Sequence, residues 1–122
     1  MKEITEDYVS FETRKLLLKK GMPEALFNHI IFDKGDGGNV RKYYSCSLNI
    51  AMKWLRDVHN FHITAFPAWD NDDGTKMSFE KWGESIDGLD GEYCMPTSGP
   101  VYYNSYEEAC EAAIKYVLEN LI

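Results

Sequence analysis

The chain has 122 residues, of which 44% are hydrophobic, 27% charged and 14% aromatic. These proportions are typical of one globular domain over residues 1–122 and exclude a disordered chain. The formal net charge of -7 repels phosphate backbones, and no apolar stretch approaches the roughly 20 residues of a membrane span, so we expect neither nucleic-acid nor membrane partners.

The first residues, MKEITEDYVS, are charged and lack the apolar core of a signal peptide. The chain has three cysteines, Cys46, Cys94 and Cys110, an odd number that cannot all pair internally. Both observations predict a cytoplasmic protein with reduced thiols.

The first predicted elements are a helix and a hairpin. VSFETRKLLLKKGM (9–22) is typical of a helix that Ser10 caps and Gly21 ends in the left-handed conformation. ALFNHIIF (25–32) predicts a strand, DKGDGGN (33–39) a hairpin loop and VRKYYSC (40–46) the returning strand.

The second helix is predicted over LNIAMKWLRDVHN (48–60), with Ser47 as its cap and Asn60 as its left-handed end. Apolar residues at spacings of three and four predict the face that it buries. That face consists of Leu48, Ala51, Met52, Leu55 and Val58.

Alternating strands follow. In FHITAFPAW (61–69), Phe61, Ile63 and Ala65 point to one face and His62, Thr64 and Phe66 to the other. Pro67 lacks a backbone donor, so this strand ends there or lies at a sheet edge. DNDDG (70–74) predicts a turn, KMSFEKWGESI (76–86) a strand, 87–100 mostly loop, and VYY (101–103) a short strand.

The last helix has the strongest local pattern. In SYEEACEAAIKYVLENLI (105–122), Ser105 and Glu108 form a capping box. The predicted buried stripe consists of Cys110, Ala113, Ile114, Val117 and Leu121. The whole pattern predicts an α+β domain in which a small, mainly antiparallel sheet of three to five strands packs with three helices.

Three blocks of the chain resemble recurring blocks in a family of small uncharacterised proteins of bacteriophages and mobile elements of gut bacteria. They are YVSFETRKLLLKKG, AMKWLRDVHN and YEEACEAAIKYVLENLI, together about a third of the chain. The resemblance implies an intracellular protein, phage or prophage encoded, without an assigned activity or catalytic residues. Residues 33–39 and 87–100 depart from the family pattern.

His59 and His62 are the first candidates for a metal site, but the predicted helix ends between them and no further ligands stand at paired spacing. His59 at a helix C-terminus is favourable without a metal. If Gly74 were the sixth position of a calcium loop, Trp69 would be its first, and tryptophan cannot ligate calcium. We expect no cofactor, and only a weak surface calcium site at Asp70 to Gly74 stays open.

Cys46 precedes a helix N-terminus, where a thiolate is favoured. A cysteine nucleophile with His59 or His62 would make the chain a small hydrolase or ligand-binding enzyme. No family signature surrounds Cys46, and a lone cysteine is more often a small buried residue, so this enzyme is the alternative hypothesis.

The leading hypothesis is a non-enzymatic accessory module that binds a host or phage protein. If the helices cover one face of the sheet, His62, Thr64, Phe66, Trp82 and Tyr102 (or Tyr103) lie on the other. Exposed aromatic residues often mark recognition surfaces. On this interpretation Trp82→Ala costs less than about 1.5 kcal/mol, whereas a core tryptophan would cost roughly 3–5 kcal/mol.

Overall fold

The computed structural model describes residues 7–69, 77–89, 93–94 and 102–122. In chain order the elements are α1 (Phe11–Lys19), β1 (His29–Lys34), β2 (Val40–Ser45), α2 (Leu48–His59), β3 (Phe61–Trp69), β4 (Met77–Gly88), β5 (Tyr93–Cys94) and α3 (Tyr106–Tyr116). A π-helical turn over Val117–Leu121 continues α3.

The described strands form two antiparallel sheets. β1 pairs with β2, and β3, β4 and β5 are neighbours in that order. The predicted α+β fold is therefore confirmed. Among the described strands, β3 lies at an edge of its sheet, which is one of the two alternatives that Pro67 left open; the other is wrong, because β3 continues to Trp69. The register with β4 shifts directly after the proline.

The core lies where α2 and α3 pack on the three-stranded sheet. Ile63 of β3 lies opposite Ile86 of β4, and both are buried with Leu55 and Ile114 of the two helices. Fully burying each such side chain contributes about 1.5–3 kcal/mol. This packing fixes which face of the sheet the helices cover.

Serine hydroxyls cap all three helices, as predicted. The Oγ atoms of Ser10, Ser47 and Ser105 accept hydrogen bonds from backbone N–H groups of the first turn, at 3.2, 3.2 and 3.1 Å. The capping box of α3 is displaced by one residue, because Glu108 Oε2 accepts from the Asn104 N–H at 3.0 Å.

The ends of α1 and α2 are also as predicted. Gly21 has φ +100°, its N–H donates to the Leu18 carbonyl at 3.1 Å, and the Met22 N–H donates to Leu17 at 3.0 Å. This bond pair is the glycine-dependent Schellman ending. Asn60 ends α2 with φ 63°.

The first strand of the hairpin, β1, begins later and ends later than predicted. The strand predicted over 25–32 begins only at His29, because Glu24–Leu26 form a 3-10 turn after Pro23. At the other end β1 continues to Lys34, so the loop predicted over 33–39 is reduced to 35–39.

The buried face of α2 was predicted partly wrongly. Leu48, Ala51 and Leu55 are buried, but Trp54 is buried with them and Val58 is 57% exposed. The buried face of α2 therefore includes Trp54 in place of Val58. Burying a tryptophan removes more apolar area from water than burying a valine.

The region after β3 also departs from the prediction. β4 continues to Gly88 and β5 pairs with it inside the loop predicted over 87–100. Of the strand predicted over 101–103, Tyr103 forms an isolated bridge with Trp82. The turn predicted over 70–74 lies outside the described residues.

Candidate functional site

The predicted partner-binding face is only partly assembled. His62, Thr64 and Phe66 lie on the face of β3 opposite the buried Ile63, and Thr64 and Phe66 are exposed. Tyr102 is exposed beside the bridge of Tyr103. Exposure alone does not test whether these residues bind a partner, so their binding role stays a prediction.

Trp82 does not belong to that face. In the β3–β4 register, Phe66 lies opposite Gly83, and Trp82 lies opposite Pro67. Trp82 therefore shares its face with Ile86, on the helix side, and its ring meets the Tyr106 ring of α3 edge-on at 5.8 Å. The prediction that Phe66 and Trp82 share a face is wrong, because a one-residue difference in register moves a side chain to the other face.

Phe66 lies over a glycine of the neighbouring strand. The ring covers Gly83 so closely that a Cβ atom at position 83 would lie 3.0 Å from Phe66 Cε2. Phe66 is 42% exposed. Phe66 and Trp82 thus do not form a pair of aromatic anchors on the outer face of β3 and β4.

Cys46 is buried at the junction between β2 and α2. Burial raises the pKa of its thiol to about 12, and Glu111 adds to the shift. The thiol is thus protonated at neutral pH, whereas a nucleophilic cysteine needs the thiolate.

The two candidate histidine partners lie in different settings. The His59 ring packs edge-on against Trp54 at 4.6 Å, and its buried Nε2 has no hydrogen-bond partner among the described residues. His62 lies opposite Asp87 on the neighbouring strand. Within the described ranges, no group of three or more histidine, cysteine or acidic side chains is placed to hold a metal ion.

An exposed apolar surface lies on the β1–β2 hairpin. The register pairs Ile30 with Tyr44, Phe32 with Lys42 and Lys34 with Val40, and alternation brings these side chains to one face. All six residues are exposed, with Phe32 at 67% and Val40 at 72%. We call this set the hairpin face: Ile30, Phe32, Lys34, Val40, Lys42 and Tyr44.

The opposite side of the hairpin is fixed to α1. Arg41 forms a two-pronged ion pair with Asp33, at 2.8 and 2.9 Å, and the Tyr43 hydroxyl donates to the same carboxylate at 3.2 Å. The Arg41 guanidinium lies 3.9 Å from the centre of the Phe11 ring, and that ring meets Tyr43 edge-on at 5.1 Å. These contacts hold one face against α1 and turn the hairpin face outwards.

A second surface feature is a cleft beside the start of α3, with a volume of about 480 Å³. Asp7, Glu107, Glu108 and Glu111 line it, together with Lys115. Tyr8, Leu48 and Tyr103 supply apolar walls. We call this the α3 cleft.

The α3 cleft is built by contacts between α1 and α3. Glu111 Oε1 accepts from the Ser10 N–H at 2.9 Å and from the Thr13 hydroxyl at 2.7 Å. Burial, followed by the nearby Glu107, raises the pKa of Asp7. The effect of Glu107 shows that two carboxylates lie close together at this position.

Comparisons with known proteins found no match to a family model, to a curated protein or to a solved structure. Among the described residues, no helix is long and apolar enough to cross a membrane.

Proposed function

We propose that this chain is a non-catalytic module that binds protein through the hairpin face. The observation that carries the proposal is the outward display of Ile30, Phe32, Val40 and Tyr44 on one continuous surface. Exposing four large apolar side chains to water has an unfavourable free energy. Contiguous apolar patches of this kind mark interaction sites on soluble proteins.

The state of Cys46 supports a non-catalytic role over the cysteine-dependent enzyme. Its thiol is buried, and a pKa of about 12 keeps it protonated at neutral pH. The alternative enzyme would need an accessible thiolate with a histidine base within hydrogen-bond reach. No hydrogen bond joins Cys46 to His59 or His62 in the described part of the chain.

The cellular setting that we propose is the cytoplasm of a bacterium that carries a phage or prophage. The three blocks resembling phage and mobile-element proteins support this origin. An odd number of cysteines, with Cys46 and Cys110 buried and free, is compatible with reduced thiols. The partner is accordingly a host or phage protein.

Affinity capture with matched variants tests the proposal. The double variant Phe32→Thr/Val40→Thr removes the two most exposed apolar side chains and keeps residues that favour strands. The control Phe66→Thr removes a partly exposed ring from the other sheet. Each tagged protein is incubated with lysate of a phage-carrying host, and retained proteins are quantified by mass spectrometry.

We expect the wild-type chain and Phe66→Thr to retain the same partner, and the double variant to lose it. Truncating an interface anchor commonly removes about 2 kcal/mol or more of binding free energy, roughly a 30-fold loss of affinity. Equal retention by the double variant, or a loss confined to Phe66→Thr, would contradict the proposed surface.

A further inference from the structure

Charge is distributed unevenly along this acidic chain. Residues 11–45, which include α1 and the hairpin, hold seven lysines and arginines against four acidic residues. All other residues together hold six against sixteen. One segment is thus net positive while the rest carries a large negative excess, an arrangement that favours attraction between unlike parts of two molecules.

The hairpin face carries part of that positive charge. Lys34 and Lys42 stand among its exposed apolar side chains, and neither forms an ion pair with a described residue. Arg41 is held on the opposite side by Asp33. A partner for this face should therefore combine apolar area with negative charge.

The α3 cleft has that combination on the same chain. It offers Tyr8, Leu48 and Tyr103 as apolar walls of a shallow, open surface. Among the described residues, the acidic side chains that line it are Asp7, Glu107, Glu108 and Glu111, and Lys115 is the cation. Desolvation and, after it, the charge of Glu107 raise the pKa of Asp7, so a positive charge brought there would relieve the like-charge repulsion between these two carboxylates.

We propose that the occupant of the hairpin face is a second copy of this chain, with the hairpin face of one copy docked in the α3 cleft of the other. This inference rests on the proposed function, since it names the partner of the same surface. Phe32 and Val40 would fill the apolar part of the cleft, and Lys34 and Lys42 would face Glu107 and Glu108.

The proposed contact joins the hairpin face of one copy to the α3 cleft of another. Because these two surfaces differ, two kinds of assembly are possible. Two copies that exchange the contact reciprocally close a two-fold dimer, and copies that do not exchange it extend into a chain. In both cases association depends on protein concentration, and it weakens as salt screens the charges.

Sedimentation velocity over a concentration series, at low and high salt, tests the proposal with a charge-reversal set. Lys34→Glu/Lys42→Glu makes the hairpin face acidic, and Glu107→Lys makes the cleft less acidic. Lys53→Glu, on an exposed position of α2 outside both surfaces, is the matched control. Circular dichroism melts confirm that each variant is folded before it is compared.

We expect the wild-type chain and Lys53→Glu to associate. The double reversal should raise the dissociation constant about 30-fold or more, because like charges then oppose each other across the contact. Glu107→Lys alone should weaken association in the same direction. An equimolar mixture of the two variants should associate more strongly than either alone, because the acidic hairpin face then meets the more basic cleft.

A wild-type chain that stays monomeric up to its solubility limit would overturn the inference. So would a dimer that neither charge reversal weakens, or a mixture that associates no better than its components. In each case the proposed function stands if capture still depends on Phe32 and Val40, and it fails separately if that dependence is missing.

Discussion

At the scale of single residues, Glu84 is the buried carboxylate among the described residues. It lies on the helix-covered face of β4, opposite Ala65 and two residues from Ile86. Burial raises the pKa of Glu84 above its ordinary value of 4.5, and the charge of Glu84 contributes to the raised pKa of Tyr103. Because the folded state holds this proton more tightly than the unfolded state, Glu84 favours folding at low pH and opposes it once ionised.

Glu84→Gln should therefore raise the free energy of unfolding at neutral pH. The gain should shrink as the pH falls through the folded pKa towards 4.5, where the glutamic acid is itself neutral. Urea melts at about pH 4 and about pH 7 measure both effects, with the exposed Glu119→Gln as the control. A loss of stability at neutral pH would show that the carboxylate is stabilised by its surroundings.

The contact between Phe66 and Gly83 gives a second prediction. A methyl group at position 83 would lie 3.0 Å from the Phe66 ring, so the ring must move. Gly83→Ala should cost about 1 kcal/mol, at the low end for overpacking because the ring edge is able to turn. In a Phe66→Ala background the same change should cost less, and denaturant melts of all four proteins form the double-mutant cycle. Additive losses would contradict the contact.

At the scale of elements, the features that the sequence predicts well are those decided by local chemistry. Ser10, Ser47 and Ser105 cap their helices through their own hydroxyls, and Gly21 and Asn60 adopt the left-handed backbone that ends a helix. Each depends on a few neighbouring residues, so it is readable without knowledge of the fold.

Helix α3 offers a direct stability comparison. Ser105→Ala removes the hydroxyl that accepts from the Glu108 N–H and should cost on the order of 1 kcal/mol. Ala113→Asp places a carboxylate in the core, where Ala113 is fully buried, and should cost several times more. Equal and small losses in denaturant melts would mean that α3 does not pack on the sheet as described.

The pairing of β3 with β4 is an element-scale feature that could not be predicted. Alternation within each strand is visible in the sequence, but it does not say which residues lie opposite each other. The observed register, with its shift after Pro67, places Trp82 on the face that packs against α3 and not beside Phe66.

The position of Trp82 changes the expected effect of its removal. Because the half-buried ring packs on Tyr106, Trp82→Ala should cost about 2–4 kcal/mol, more than the 1.5 kcal/mol expected of a surface ring. Phe66→Ala, on the outer face, should cost less than Trp82→Ala. Urea melts measure both losses of stability. A larger loss for Phe66→Ala than for Trp82→Ala would support the original prediction that both rings lie on the exposed face.

At the scale of the whole molecule, the outward face of the hairpin was not predictable. Ile30, Ile31 and Phe32 are all apolar, and Tyr43 and Tyr44 are adjacent, so alternation does not distinguish an inner face from an outer one. The distinction comes from long-range contacts, chiefly the packing of Arg41 and Tyr43 on Phe11. A candidate site that depends on which face docks is visible only once the fold is assembled.

The distribution of charge over the whole molecule also affects the hairpin face. A net charge of -7 suggests a uniformly acidic molecule, yet Lys34 and Lys42 place positive charge within the hairpin face. Net charge therefore describes the long-range field but not the local character of the proposed interface.

Hydrogen–deuterium exchange on the captured complex tests the central claim, that the hairpin face is the binding surface, most directly. Amide exchange is compared between the free chain and the chain bound to its captured partner. We predict added protection over His29–Lys34 and Val40–Ser45, because docking there shields both strands from water and local opening. Protection confined to Phe61–Trp69 and Met77–Gly88, with the hairpin unchanged, would contradict the account.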